Sequence, residues 1–359
     1  MSKFHNLKVI DVHEEVDDCK SIAFEVPEEL KAEFAYKQGQ YLTLRSIIDG
    51  EDVRRNYSLC SSPLDNEWRV AIKKVLNGKF STFANEVLKK GDMLEVMPPM
   101  GHFYTELNAD NEKHYVAFAA GSGITPMLSI MKTVLRAEPK SQITLVYGNK
   151  NTQSIIFHEE IEGLKNKYMT RLSVYYLLSR ERLEEPILNG RIDSKKCDTL
   201  FDGVIDVASG DEFFICGPEE MINNVRTALE TAKVPEEKVH FELFTVPGAK
   251  VGEAIQHEVA IEDLGKVCDV TVTVDGKTFE FPLAFGSENL LDAAMKEGAD
   301  LPYACKGGVC CTCKARLLEG EVEMDRNYGL VQEEVNAGFI LTCQAFPKSE
   351  KVTINFDDI

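Results

Sequence analysis

The sequence predicts three successive domains: an N-terminal antiparallel β-barrel over residues 1–107, an α/β domain built on a parallel sheet over 108–245, and a small α+β domain over 268–359, with a linker at 246–267. Three observations predict this order. A chain of 359 residues is long enough for two or three separate cores, at roughly 150 residues per domain. Its first third has short β-type runs broken by Gly and Pro, whereas its middle third alternates strand-length apolar runs with helical stretches. Five of the ten Cys crowd between Cys268 and Cys313, which sets the last segment apart.

The barrel runs are FHNLKVIDV, SIAFEV, QYLTLRSI, RNYSLCS, WRVAIKKV and MLEVM, with one helical stretch near Ser81 to Leu88. From His114 the order becomes YVAFAA, a helix after Thr125, QITLVYG, a helix at Phe157 to Lys167, RLSVYYLLS, FFICG, a helix at Pro218 to Ala232, and VHFELF. Parallel strands need crossover connections, and these helices supply them. VPGAKVGEAIQHEVAIEDLGKV reads as a linker with room for one stray strand. VTVTVDGKTFEFPL reads as a hairpin turning at Asp275-Gly276, followed by a short helix at Asn289 to Glu297.

Composition narrows the function classes. With 44% hydrophobic and 28% charged residues, the chain has the make-up of packed, soluble domains. A net charge of −19 repels phosphate backbones and no dense Lys/Arg cluster offsets it, so nucleic acid is not an expected partner. The longest uncharged run, Tyr115 to Met131, contains Gly121, Gly123 and Pro126 and is too short for a span of about 20 apolar residues. No membrane association is expected, and the first residues lack the pattern of a signal peptide. Many thiols with no even framework of spaced pairs suit a reducing, cytoplasmic setting.

Cys305, Cys310 and Cys313 are spaced C-x4-C-x2-C in CKGGVCCTC, and Cys343 follows in LTCQ. This is the plant-type spacing for a [2Fe-2S] cluster. Structural zinc would call for two separated pairs, and only one is present. Gly307 and Gly308 let the loop backbone approach cluster sulfurs closely enough to donate N–H groups. Cys311, between two ligands, is expected to be a small buried hydrophobe, as are Cys268, Cys197 and Cys19. On these residues the segment from 268 on resembles a plant-type ferredoxin domain, which implies a β-grasp fold. It holds 16 Asp+Glu against 8 Lys+Arg, so it carries −8 of the total charge.

Upstream motifs complete the resemblance. Arg55, Tyr57 and Ser58 lie in RRNYSLCS; Gly78, Ser81 and Thr82 in NGKFSTFANEVL; Gly121, Gly123, Thr125 and Pro126 in AAGSGITPM. Ser179 and Arg180 follow in LLSRE, Cys216 and Gly217 in FFICGP, and Glu242 to Phe244 in FELF. Each is modest alone: RRNYS is also an ordinary edge strand, Ser81 a plain helix cap, Cys216 a structural thiol, Phe244 a core residue. Their order on these elements resembles the ferredoxin-NADP reductase superfamily, in the group that ends in a ferredoxin domain and supplies reductase components to multicomponent oxygenases. The resemblance implies that Arg55 pairs with flavin phosphate, Tyr57 stacks on the isoalloxazine and Ser58 bonds near flavin N5. It places the FAD pyrophosphate at the helix that Ser81 caps, where Asn77 stands for a usual Gly and tolerates positive φ. It implies that the Gly121–Pro126 turn, capped by Thr125, meets the nicotinamide end of NADPH, that Cys216 lies beside the reactive carbon, and that Phe244 shields the flavin.

Ser179 and Arg180 would grip the 2′-phosphate, helped by Arg191, although Glu181 is adjacent and an acid there suits NAD. The implied partner is an oxygenase component that accepts electrons. The open alternatives are an NADH- or FMN-using reductase of a ring- or steroid-hydroxylating oxygenase, and an iron-sulfur carrier without turnover.

Overall fold

The computed structural model describes residues 3–244 and 265–358. Most of the expected linker, 246–264, lies outside the described residues, and Val267 already belongs to a strand.

The first sheet has the strands β1 (His5–Val16), β2 (Cys19–Glu25), β3 (Tyr41–Ile48), β4 (Glu51–Ser58), β5 (Trp68–Lys73) and β6 (Met93–Val96) in the order β4-β3-β6-β1-β2-β5. Every pairing is antiparallel. A bridge from Leu59 to Val70 joins the two edges just past β4, so the sheet closes into the expected barrel. Alternation fills its interior with Leu7, Val9, Ile22, Leu42, Leu44, Val70 and Ile72. Helix α1 (Lys79–Glu86) plugs the barrel with Phe80 and Ala84.

The second sheet is wholly parallel: β7 (His114–Ala120), β8 (Gln142–Asn149), β9 (Leu172–Leu178), β10 (Glu212–Cys216) and β11 (Val239–Glu242), ordered β11-β10-β7-β8-β9. Both faces are buried, with α2 (Ile124–Ala137) and α3 (His158–Lys167) on one and α4 (Ser194–Gly203) and α5 (Glu219–Thr231) on the other. Strand order reverses between β7 and β10, and in open parallel sheets ligands bind beyond the strand ends at such a switch point. Helix α4 has no counterpart in the sequence reading. Its signal is weak because only Cys197 and Leu200 are buried, and Asp193 caps it by accepting the Lys196 N–H at 2.8 Å.

The third unit joins β12 (Val267–Val274), β13 (Lys277–Ala284), α6 (Leu290–Lys296), β14 (Lys314–Glu319), β15 (Val322–Met324), α7 (Gln332–Asn336), β16 (Phe339–Leu341), β17 (Ala345–Pro347) and β18 (Lys351–Asn355). Its sheet runs β13-β12-β18-β14-β16, with β12 and β18 parallel and the expected hairpin at Asp275-Gly276. Its α6, opened by Asn289 accepting the Asp292 N–H at 2.9 Å, lies within the expected stretch.

Candidate functional site

The barrel side of the site is the end of β4 and the start of α1. Arg55 is exposed, Tyr57 packs on Phe80 with ring centroids 5.7 Å apart, and Ser58 is buried. Asn77 takes φ 60°, as the expected turn requires, and Gly78 precedes the first helical residue. The helix therefore starts at Lys79, and Ser81 is not its cap. Its hydroxyl sits inside the first turn instead, donating to Gly78 O at 3.2 Å and accepting the Val75 N–H at 3.1 Å. Thr82 follows, its N–H bonded to Gly78 O at 3.0 Å. The left-handed Asn77 reverses the chain early enough to begin the helix two residues before Ser81.

Across the domain boundary, β7 runs into a 3-10 turn at Gly121–Gly123 and then α2. Gly121 takes φ +54°. Gly123 touches the end of β10 so closely that a Cβ would lie 2.0 Å from Cys216 O, so no other residue fits without moving the strand. Thr125 does not cap α2. The preceding turn already starts the helix at Ile124, and the Thr125 hydroxyl donates to Ser122 O at 3.0 Å. Pro126 lies in the first helical turn, where its missing N–H costs nothing.

Cys216 and Gly217 end β10 at the switch point; Cys216 is fully buried, and burial pushes its thiol well above the usual range. Its partner across the ladder is Glu242. The Glu242 carboxyl accepts the Ser58 hydroxyl at 3.1 Å, and desolvation lifts it from 4.5 to about 8 against that bond. The residue as a whole keeps some accessible surface, so the lift reflects the enclosed carboxyl and not complete burial of the residue. Ser58, Cys216 and Glu242 thus converge from two domains. Glu242 opens the stretch Glu242 to Phe244 of FELF, but nothing in that motif marks its contact with Ser58, 184 positions away. Phe244 is 42% exposed, which removes the core reading.

At the far strand end, Ser179 and Arg180 are exposed just past β9. Gly190 N–H bonds to Leu178 O at 2.8 Å, which brings exposed Arg191 alongside. Glu181 is occupied: its carboxylate accepts the Thr152 N–H at 2.7 Å and hydroxyl at 2.8 Å, and these bonds hold it below the usual carboxylate range.

The four cysteines of the third unit also come together. Cys305, Cys310 and Cys313 lie on the loop between α6 and β14. Cys343 is brought beside Cys313 by the Thr342 N–H and hydroxyl, bonded to Cys313 O at 3.2 and 2.9 Å. Cys305 and Cys310 sulfurs are 3.1 Å apart, and Cys343 interacts with both Cys305 and Cys313. Gly307 N–H points at Cys305 Sγ at 3.4 Å. Gly308, at φ +75°, lets the loop pass Arg326 O, which a Cβ would meet at 2.8 Å. Four thiols with backbone N–H support suit two irons bridged by sulfide better than one tetrahedral ion.

These three units define a flavin- and pyridine-nucleotide-dependent oxidoreductase with an iron-sulfur domain. Three family models match in the same order: an oxidoreductase FAD-binding domain over residues 6–104, an oxidoreductase NAD-binding domain over 118–227 and a 2Fe-2S iron-sulfur cluster binding domain over 272–348. The chain is 44% identical over 357 residues to a 1,2-phenylacetyl-CoA epoxidase subunit of Escherichia coli (strain K12), covering 99% of both chains. It is 36% identical over 356 residues to the ferredoxin reductase component of 3-ketosteroid-9-alpha-monooxygenase from Rhodococcus rhodochrous, covering 98% of this chain and 96% of that one. It shares its fold with phthalate dioxygenase reductase, with a TM-score of 0.59 and 23% identity over 98% of both chains. The chain belongs to the ferredoxin-NADP reductase superfamily, in the group that carries a 2Fe-2S domain. A carrier without turnover would have no use for its NAD-binding domain. Among the described residues no helix is long and apolar enough to cross a membrane.

Proposed function

We propose that the protein is the NADPH-dependent reductase component of a phenylacetyl-CoA epoxidase and delivers electrons to its oxygenase component in the cytoplasm. The observation that carries this is end-to-end similarity to the Escherichia coli epoxidase chain at 44% identity. Residues 1–107 form the FAD barrel, 108–245 the nucleotide domain and 268–359 the cluster domain in this reading.

When bound, FAD supplies the exchange between two-electron and one-electron chemistry, and the cluster supplies one-electron transfer. The chain's own residues bind and orient. Arg55 offers a forked donor for phosphate, Tyr57 a flat apolar face, and the α1 start, shaped by Gly78, Ser81 and Thr82, the positive end of its helix dipole. The turn Gly121–Gly123, with Thr125, Pro126, Cys216 and Gly217, shapes the nicotinamide end at the switch point. Ser58 and Glu242 can hold or pass a proton at Ser58 Oγ. Phe244, exposed two residues past Glu242, would serve as a cover. Cys305, Cys310, Cys313 and Cys343 would hold the irons.

NADPH is favoured over NADH because Glu181, the acid that could take ribose hydroxyls, is committed to Thr152, while Ser179, Arg180 and Arg191 remain exposed. Removing one guanidinium–phosphate contact worth about 1.5–3 kcal/mol should raise the KM for NADPH about 10- to 100-fold in Arg180→Ala and leave NADH turnover unchanged. Steady-state kinetics with both nucleotides checks this, and an unchanged preference would refute the clamp. The function itself is tested without air: NADPH should bleach both flavin and cluster bands, and the reduced protein should support epoxidation by the oxygenase component. Reconstitution with a steroid hydroxylase instead would move the protein to the second relative's system.

A further inference from the structure

The β3–β4 hairpin, which carries the flavin motif, has a second face. Successive side chains of a strand point to opposite sides, so Leu42 and its partner Tyr57 face the barrel core, while Tyr41, Thr43, Arg54, Asn56 and Ser58 share the other side. That side meets the 2Fe-2S domain. Tyr41, 6% exposed, is part of that domain's hydrophobic core although it belongs to the barrel. Its hydroxyl accepts the Cys311 N–H at 3.2 Å and lies 3.2 Å from Cys311 Sγ. Thr43 Oγ1 is 3.4 Å from Thr312 Oγ1. Cys311 and Thr312 are the two residues between Cys310 and Cys313.

A charged clamp flanks this contact. Arg54 is only 3% exposed; its Nη1 donates to Leu301 O at 3.0 Å and its guanidinium lies 4.1 Å over the Tyr303 ring. Its other end is paired with Asp52 at 2.9 Å and Asp300 at 3.5 Å. A buried guanidinium is tolerated only where such partners replace water, and Leu301, Tyr303 and Asp300 all belong to the cluster domain. At the rim, His102 Nε2 meets Glu334 at 3.1 Å. A chance encounter of two domains would not desolvate a cation this fully.

We propose that Tyr41 and Arg54 are positioning residues that seat the cluster loop on the strand pair carrying the flavin motif, so that electrons enter the cluster through the Cys310–Cys313 side. Tyr41 stands directly across the ladder from Ser58, and its hydroxyl reaches the neighbour of Cys310. Cys311 and Thr312 lie in the cluster motif and Arg54 beside the flavin motif, yet neither motif marks the contact between them. The inference rests on the proposed electron route from NADPH, and its test separates the two.

The full, cofactor-loaded protein is compared with Tyr41→Phe and Arg54→Met in anaerobic stopped-flow with NADPH and in hydrogen exchange. Flavin bleaching should keep its wild-type rate in both variants, while cluster bleaching falls below its wild-type rate. The Cys311 amide should lose its exchange protection in Tyr41→Phe, a readout that needs no NADPH. Wild-type cluster bleaching in Tyr41→Phe, or an equally protected Cys311 amide, would overturn the inference. Should Arg54→Met fail to fold, the near-isosteric Tyr41→Phe decides alone. If wild-type flavin does not bleach with NADPH, the reductase reading fails, while the exchange data still decide the seat.

Discussion

Cys310→Ser is expected to remove the cluster's visible absorbance and its iron, and to abolish electron delivery to an oxygenase, while NADPH-driven reduction of a dye that accepts from flavin continues. A serine hydroxyl stays protonated where a thiolate would bind iron, so the loop keeps its shape and loses a ligand. Outer-shell changes around a metal already cost about 10- to 100-fold, and loss of a ligand should cost at least that much in delivery. The flavin half should survive the change, because the barrel and the parallel sheet bury most of their own cores apart from that around the four cysteines, which takes in only Tyr41 and Met100 from the barrel side. Iron content, the visible spectrum and paired assays with dye and protein acceptor decide the matter. Loss of dye reduction as well would mean that the electrons do not leave through flavin before reaching the cluster.

Features written in local spacing were legible in the sequence, and features made by contact were not. The cluster ligands are a loop motif plus Cys343, and the nucleotide turn is a run of six residues, so chemistry and position coincide with the text of the chain. The alternation of strands and helices gave the parallel sheet, because buried strands and amphipathic crossover helices must each show their period. Helix α4 escaped because its buried face is two residues wide. Ser81 and Thr125 were misplaced as caps for one reason: the backbone of the turn before each helix, and not the nearest hydroxyl, sets where the helix begins. Cys311 is the buried thiol its position suggests, yet its contact with Tyr41 spans 270 positions and leaves no trace in either local sequence.

Glu242→Gln should lower NADPH-driven dye reduction by about 100-fold or more, the ordinary scale of proton transfer by a positioned side chain, and should erase the fall in rate expected of the wild type as pH rises through about 8. Below that value Glu242, a carboxyl oxygen of which lies 3.1 Å from Ser58 Oγ, holds a proton that it can lend through that hydroxyl on reduction and recover when the electrons pass on; above it the carboxyl is charged beside buried Cys216 and has none to lend. Glutamine keeps the shape and the bond to Ser58 but cannot exchange the proton. Stability should move the opposite way. The folded carboxyl binds its proton more tightly than the unfolded one, so between its ordinary 4.5 and about 8 the folded state holds more protons and loses stability as pH rises. The Gln variant escapes that loss, so its Tm should gain on wild type across this window and keep the gain above it. A slower enzyme that is relatively more stable in alkali identifies a buried acid kept for its proton. A variant with the wild-type rate and the same alkaline limb would show that Glu242 only packs against Ser58.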